Sequence, residues 1–244
     1  AFDGCIELTD ITIPKSLTHI GYSAFKNTDV KNLYLEDLES WLKVTFGSAS
    51  GVYLCSPLQK GGNIYVNGEL LTEFTAPDGI DEIPGYAFDN CLSLTKIVIP
   101  NHVKEIASYA FDNCTNVNEI IVGDGITSLF NIRNFKNLKT ITLGNGITEI
   151  RTNAFLSLTQ LSSVTLGENI TEIGAMAFAR CSSLTQLTFN KNLQTIGNNA
   201  FRLCSGLTQI ELPDSLQSLG AYVFADCTSL KTVTISQGVD KLNG

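Results

Sequence analysis

Seven cysteines, two histidines and a single tryptophan are the side chains with the most chemistry to offer in this sequence. Six of the cysteines (Cys5, Cys91, Cys114, Cys181, Cys204 and Cys227) each follow a phenylalanine by three residues. Thr28 and Leu158 fill the same slot elsewhere. A position that accepts Cys, Thr or Leu asks for a small to medium side chain, which is how a buried free thiol behaves. The register therefore predicts reduced, buried cysteines rather than disulfides. Cys55 stands outside it and is the candidate for exposed thiol chemistry. His19 and His102 lack the spacing of a metal pair and read as surface residues of turns. Apart from the pair Gly61-Gly62 the glycines occur singly at turn positions, and none of them forms a phosphate-cradling loop that opens a helix. Asn113-Cys114-Thr115 and Asn169-Ile170-Thr171 match the glycosylation pattern by chance. These residues predict no catalytic centre, no metal and no cofactor, and hence no enzyme.

What positions these residues is a repeat. Ile196–Pro213 reads I-G-x-x-A-F-x-x-C-x-x-L-x-x-I-x-L-P, and the Ala-Phe pair recurs at residues 1, 24, 87, 110, 154, 177 and 200, with Val223-Phe224 as a variant. Uninterrupted copies start 23 residues apart. A period of that size marks a solenoid whose units bury their apolar faces only against their neighbours. Within each unit, L-x-x-I-x-I/L alternates as a half-buried strand does; Leu94–Ile99, Leu184–Phe189 and Leu207–Leu212 are examples. It ends at Pro14, Pro77, Pro100 or Pro213, or at Gly123, Gly144 or Gly167. Pro cannot continue a ladder, and Gly turns without a side-chain penalty. A return such as Leu216–Gly220 follows. Then comes the Ala-Phe-x-x-Cys turn, expected as a short helical or 3₁₀ piece. Phe88, Phe111, Phe178, Phe201 and Phe224 form the expected core spine.

Two places break the period. Phe111 and Phe155 are 44 residues apart, two short of two units. There the strand Leu138–Leu143 survives, and Phe130 or Phe135 is expected to fill the core of a tightened coil. Ala24 and Ala87 are 63 residues apart, so about 40 residues are added, with an insertion at about 36–69. After the strand Val30–Leu35, residues Asp37–Gly47 predict a short amphipathic helix capped by Asp37, with Leu38, Trp41, Leu42 and Phe46 on one face. Residues 48–62 read as a long loop. Asn67-Gly68 predicts a hairpin over Ile64–Leu71, whose second arm continues into the strand Leu71–Ala76. Trp41 is expected to pin the helix to the solenoid. With Tyr53 it also forms a candidate ligand contact on the insertion.

The outward strand positions make the candidate binding face. One column runs through Tyr34, Val98, Ile121, Thr142, Thr165, Thr188 and Glu211, and the column two residues earlier holds Lys96 and Glu119. Threonine favours strands, so the column is also a sheet stabiliser; solenoids nevertheless use this face for macromolecules. With 16 Lys+Arg against 24 Asp+Glu, the net charge of −8 disfavours nucleic acid. No stretch of ~20 apolar residues spans a bilayer. The whole chain, residues 1–244, is expected to be one solenoid of about nine to ten coils, cut in mid-repeat at both ends as a fragment of a longer protein.

The pattern L-x-x-I-x-I-P-x-x-V/L-x-x-I-G-x-x-A-F-x-x-C, carried by Leu94–Cys114 with Ala107 in place of Gly, resembles the BspA-like leucine-rich repeat family of bacterial surface proteins. The resemblance covers nearly all of the chain outside residues 36–69. It implies a right-handed leucine-rich-repeat solenoid with a parallel sheet on one face and short strands or helical turns on the other. It further implies a cell-surface, extracellular adhesin whose partner is a host matrix protein such as fibronectin or fibrinogen, or another cell. Two other functions are compatible with the residues: a structural stalk displaying another domain, and a glycan site on the insertion at Trp41 and Tyr53.

Overall fold

The computed structural model of the chain describes residues 1–47, 56–235, 237–239 and 242. It is a parallel-strand solenoid of about nine turns with almost no helix. The residues fall into two compact units, Ala1–Val98 with His102–Val117, and Ile99–Asn101 with Asn118–Gly244.

Each regular coil contributes a strand of three or four residues on one side and a strand of two on the other. In the first unit, Asp10–Ile13, Asn32–Leu35 and Asn63–Val66 pair in parallel, and Glu73–Thr75 pairs with Lys96–Ile99 in a separate ladder. In the second, Glu119–Val122, Thr140–Leu143, Ser163–Thr165 and Gln186–Thr188 run in register, and Gln209–Glu211 pairs with Thr232–Thr234. The returns are not irregular. Glu149–Ile150, Glu172–Ile173, Thr195–Ile196 and Ser218–Leu219 form a second parallel sheet.

A third ladder joins the Ala-Phe turns. The Phe N–H of one coil donates to the Ala carbonyl of the next: Phe88 to Ala110 at 2.9 Å, Phe155 to Ala177 at 2.7 Å, and Phe178 to Ala200 at 2.8 Å. The turn is not helical as expected. Two residues in each copy are left-handed, one before the Ala and one two after the Phe, as at Tyr109 (φ 65°) and Asn113 (φ 57°). Asn tolerates that conformation better than other side chains. Behind the turns the phenylalanine rings stack: Phe88 on Phe111 at 5.1 Å, and Phe155, Phe178 and Phe201 at 4.7 and 5.1 Å with planes within 5°.

The cysteine slot does more than fill space. Cys114, Cys181, Cys204 and Cys227 each donate the S–H to the Phe carbonyl of the preceding coil at 3.0–3.1 Å. Thr28 uses its hydroxyl on Phe25 at 2.7 Å. The cysteines from Cys91 onward in this register are free and buried, as expected; Cys5 is free but exposed, a correction. It belongs to the first coil, whose Phe2 is also exposed. Burial pushes the Cys181 thiol up to about 12. Cys55 lies outside the described residues.

The glycines that end strands serve a different purpose from the one expected. Gly144 and Gly167 do not take left-handed φ values. Instead, a Cβ on Gly167 would lie 2.3 Å from the Gly144 carbonyl oxygen, so they are glycine because backbones approach closely. In the shortened coil Phe135 is fully buried and Phe130 meets it edge-on at 6.2 Å, so the first supplies the core.

The insertion differs most from expectation. Asp37 caps the helix, accepting from Ser40 N–H at 2.7 Å, but the helix is only Leu38–Trp41. The chain then returns to the solenoid: Thr45–Phe46 is a strand paired in parallel with His19–Ile20, so Phe46 does not lie on a helix. The hairpin forms between Asn63–Val66 and Glu69–Leu70, with Asn67 (φ 51°) and Gly68 (φ 83°) in the turn. Its first arm also pairs with Asn32–Leu35, which makes it a coil strand rather than an appendage. Trp41 pins the region as expected. Its indole is 1% exposed and donates to the Ala87 carbonyl at 3.0 Å.

Candidate binding face

Strand alternation sends the apolar residues inward and leaves two columns of side chains outward. On the first sheet of the first unit the columns are Thr12–Tyr34–Tyr65 and Asp10–Asn32–Asn63. The Tyr34 and Tyr65 rings stack at 5.0 Å, 23° from parallel. The Tyr34 hydroxyl and the Asn32 amide both donate to Asp10 Oδ1, at 3.3 and 2.9 Å, while Thr9 donates to Oδ2 at 2.7 Å. The Thr9 and Asn32 hydrogen bonds hold the Asp10 carboxyl below its usual range. Desolvation, and after it the Asp10 charge, raises the Tyr34 phenol. The cluster is thus a fixed anion beside an aromatic pair.

The structure divides the sequence-derived face. Tyr34 stands on this sheet, whereas Lys96 and Val98 stand on the separate ladder opposite Glu73 and Thr75. In the second unit Glu119 continues through Thr140, Ser163 and Gln186, and Ile121 continues through Thr142, Thr165 and Thr188. Glu211 is paired with Thr234 on a two-stranded ladder of its own. Lys96, Val98, Glu119 and Ile121 are half-buried, and Thr142, Thr165, Thr188 and Glu211 are exposed. Tyr65 and Asn63 escaped sequence reading. Their alternation was visible in Asn63–Val66, but the Asn-Gly signal beside it was enough to explain the segment as a hairpin. Trp41 faces the interior and Tyr53 lies outside the described residues.

Among the described residues, no group of three or more His, Cys, Asp and Glu could hold a metal ion. His19 is part of a strand rather than a turn and meets Thr45 Oγ1 through Nδ1 at 2.8 Å; His102 donates from Nε2 to the Pro77 carbonyl at 3.1 Å. Both are structural contacts. No helix of the described residues is long and apolar enough to cross a membrane.

Short parallel strands, a repeated Leu/Ile core and a ladder on every side of the coil define a leucine-rich-repeat solenoid. The chain belongs to the BspA type leucine rich repeat region family: its model, six copies long, matches residues 1–55, 61–132 and 130–244. Among solved structures, the chain is similar to a leucine-rich repeat protein from Eubacterium ventriosum (22% identity, TM-score 0.62) and one from Bacteroides ovatus (23% identity, TM-score 0.58). Each likeness covers 96% of this chain and 68% of the other. None of the curated proteins compared with the chain matches it.

Proposed function

We propose that this chain is a non-enzymatic, extracellular binding module of a bacterial surface protein, and that its outward strand faces hold a protein partner of the host matrix or of another cell. The observation that carries this reading is the Tyr34–Tyr65 stack beside the Asp10 carboxylate, held in register by parallel strands. Tyrosine offers large contact area at low conformational cost, and a solenoid supplies a rigid support for it. Val98 and Ile121, half-buried on outward positions, add apolar surface in each unit. Family membership supports display at the cell surface.

Retention of the chain on immobilised fibronectin and fibrinogen tests the proposal. Binding by the wild type, weakened by Lys96→Glu with Ile121→Asp, is the expected result. Retention unchanged by both substitutions would remove these positions from the account. No retention on any matrix or cell-surface protein would leave the stalk function in its place.

A further inference from the structure

The two-residue strands of the first unit contain a gap. His19–Ile20 pairs with Thr45–Phe46, and Glu82–Ile83 pairs with Glu105–Ile106, but the two pairs are separate sheets. Where the ladder is intact, the residue after each strand donates to the coil before: Gly47 N–H to the Ile20 carbonyl at 2.8 Å, and Ala107 N–H to the Ile83 carbonyl at 2.9 Å. Pro84 occupies that slot in the coil between and has no N–H to give. Among the described residues, the Val44 and Phe46 carbonyls and the Asp81 and Glu82 N–H groups have no backbone partner.

Between these two open edges lies a groove of about 670 Å³, lined by Thr45, Phe46, Ile80, Glu82, Tyr86 and Tyr109 among others. Its aromatic end is rigid: Phe46 meets Tyr86 at 6.4 Å, and Tyr86 stacks on Tyr109 at 5.3 Å with planes 7° apart. Unpaired donors on one wall and acceptors on the other are the requirements for adding a strand. The charge of the lining is also one-sided. Asp81 and Glu82 contribute carboxylates, and Lys43, the one cation among the described lining residues, is paired with Glu39.

We propose that this groove receives an extended peptide segment of a partner protein, bearing a Lys or Arg, as an added strand between Thr45–Phe46 and Glu82–Ile83. The site is distinct from the outward strand columns, and neither proposal depends on the other.

The chain supplies its own probe. Asn192–Gly197, NLQTIG, holds the equivalent place in the second unit, with Thr195–Ile196 paired on both sides. A capped KLQTIG peptide is titrated into the isotope-labelled full chain, alongside ELQTIG and a backbone N-methylated KLQTIG. The expected result is movement of the Asp81, Glu82 and Phe46 amide resonances with a dissociation constant on the order of 0.1–1 mM. ELQTIG should bind about threefold more weakly, and the N-methylated peptide not at all. Glu82→Lys should reverse the order of the two charged peptides. Binding of the N-methylated peptide as tightly as its parent would overturn strand addition. Absence of any shift at Asp81 and Glu82, or shifts confined to the outward strand columns, would overturn the site.

Discussion

The indole N–H of Trp41 donates to the carbonyl of Ala87 at 3.0 Å across 46 residues of sequence. In regular coils that carbonyl is taken by the Phe N–H of the preceding Ala-Phe turn. Nearby, Ser56 Oγ donates to the Asp89 carbonyl at 3.0 Å, where regular coils again use a backbone N–H. Side chains of the irregular region thus satisfy the ladder that the Ala87-Phe88 turn presents to it. Trp41→Phe retains an aromatic ring but leaves the Ala87 acceptor buried and unpaired, at a cost of about 1–3 kcal/mol. Trp41→Ala adds a cavity and should cost about 3–5 kcal/mol. Urea denaturation of the two variants checks both values, and equal losses would mean that the hydrogen bond contributes nothing.

Asp89 is 7% exposed, and burial, followed by the neighbouring Asp112 carboxylate, pushes it up to about 7. Burial raises Asp112 too. Asn113 and the Asn90 N–H oppose the shift on Asp89, and the Cys114 thiol facing it remains protonated. In the unfolded chain an aspartate titrates near pH ~3.9. Between about pH 4 and pH 7 the folded chain therefore holds a proton that the unfolded chain has released, and stability falls as pH rises through that window. Asp89→Asn should flatten this slope and raise stability at pH 8 by a few kcal/mol, at most about 4. Denaturation midpoints of wild type and variant from pH 4.5 to 8 measure it. Parallel curves would contradict the assignment.

Cys91, Cys114, Cys181 and Cys204 are buried and their thiols are raised, Cys181 to about 12. At pH 8 they should resist a thiol-specific reagent in the native state and label only after denaturation. Cys5, being exposed, should label at once. Mass-mapped labelling distinguishes them, and native labelling of Cys181 or Cys204 would mean that the column opens.

Met176 holds φ 54° with its side chain 44% exposed. Met176→Asn should stabilise the chain by about 0.5–1 kcal/mol, because Asn adopts the left-handed conformation at lower cost and little packing is lost. A lower melting temperature for the variant would show that the thioether contributes more than the strain costs.

Much of this architecture was written in the repeat. The spacing of Phe155, Phe178 and Phe201 specifies a spine, and the alternation in Leu94–Ile99 specifies a strand and its outward column. Three features were not legible, each for a physical reason. Ile64–Val66 fits a local hairpin and a coil strand equally well, and only its pairing with Asn32–Leu35 decides between them. The left-handed turn residues were masked because Arg180 and Leu203 occupy positions where Asn27, Asn90 and Asn113 would have betrayed the conformation. The groove was not legible because the coil strand Asn63–Val66 turns back at Asn67-Gly68 instead of continuing into a two-residue return. Pro84 in the following coil has no N–H, which matters only once neighbouring strands are seen. The outward face was legible as positions, but not its division among separate ladders, because register says nothing of where a sheet is interrupted.

The most direct test of the binding account is hydroxyl-radical footprinting of the chain on a matrix protein that retains it. The account predicts reduced oxidation at Tyr34, Tyr65, Val98 or Ile121, with exposed Met176 and Tyr222 on the Ala-Phe turns unchanged. Protection of Met176 and Tyr222 with the four outward side chains unaffected would contradict it.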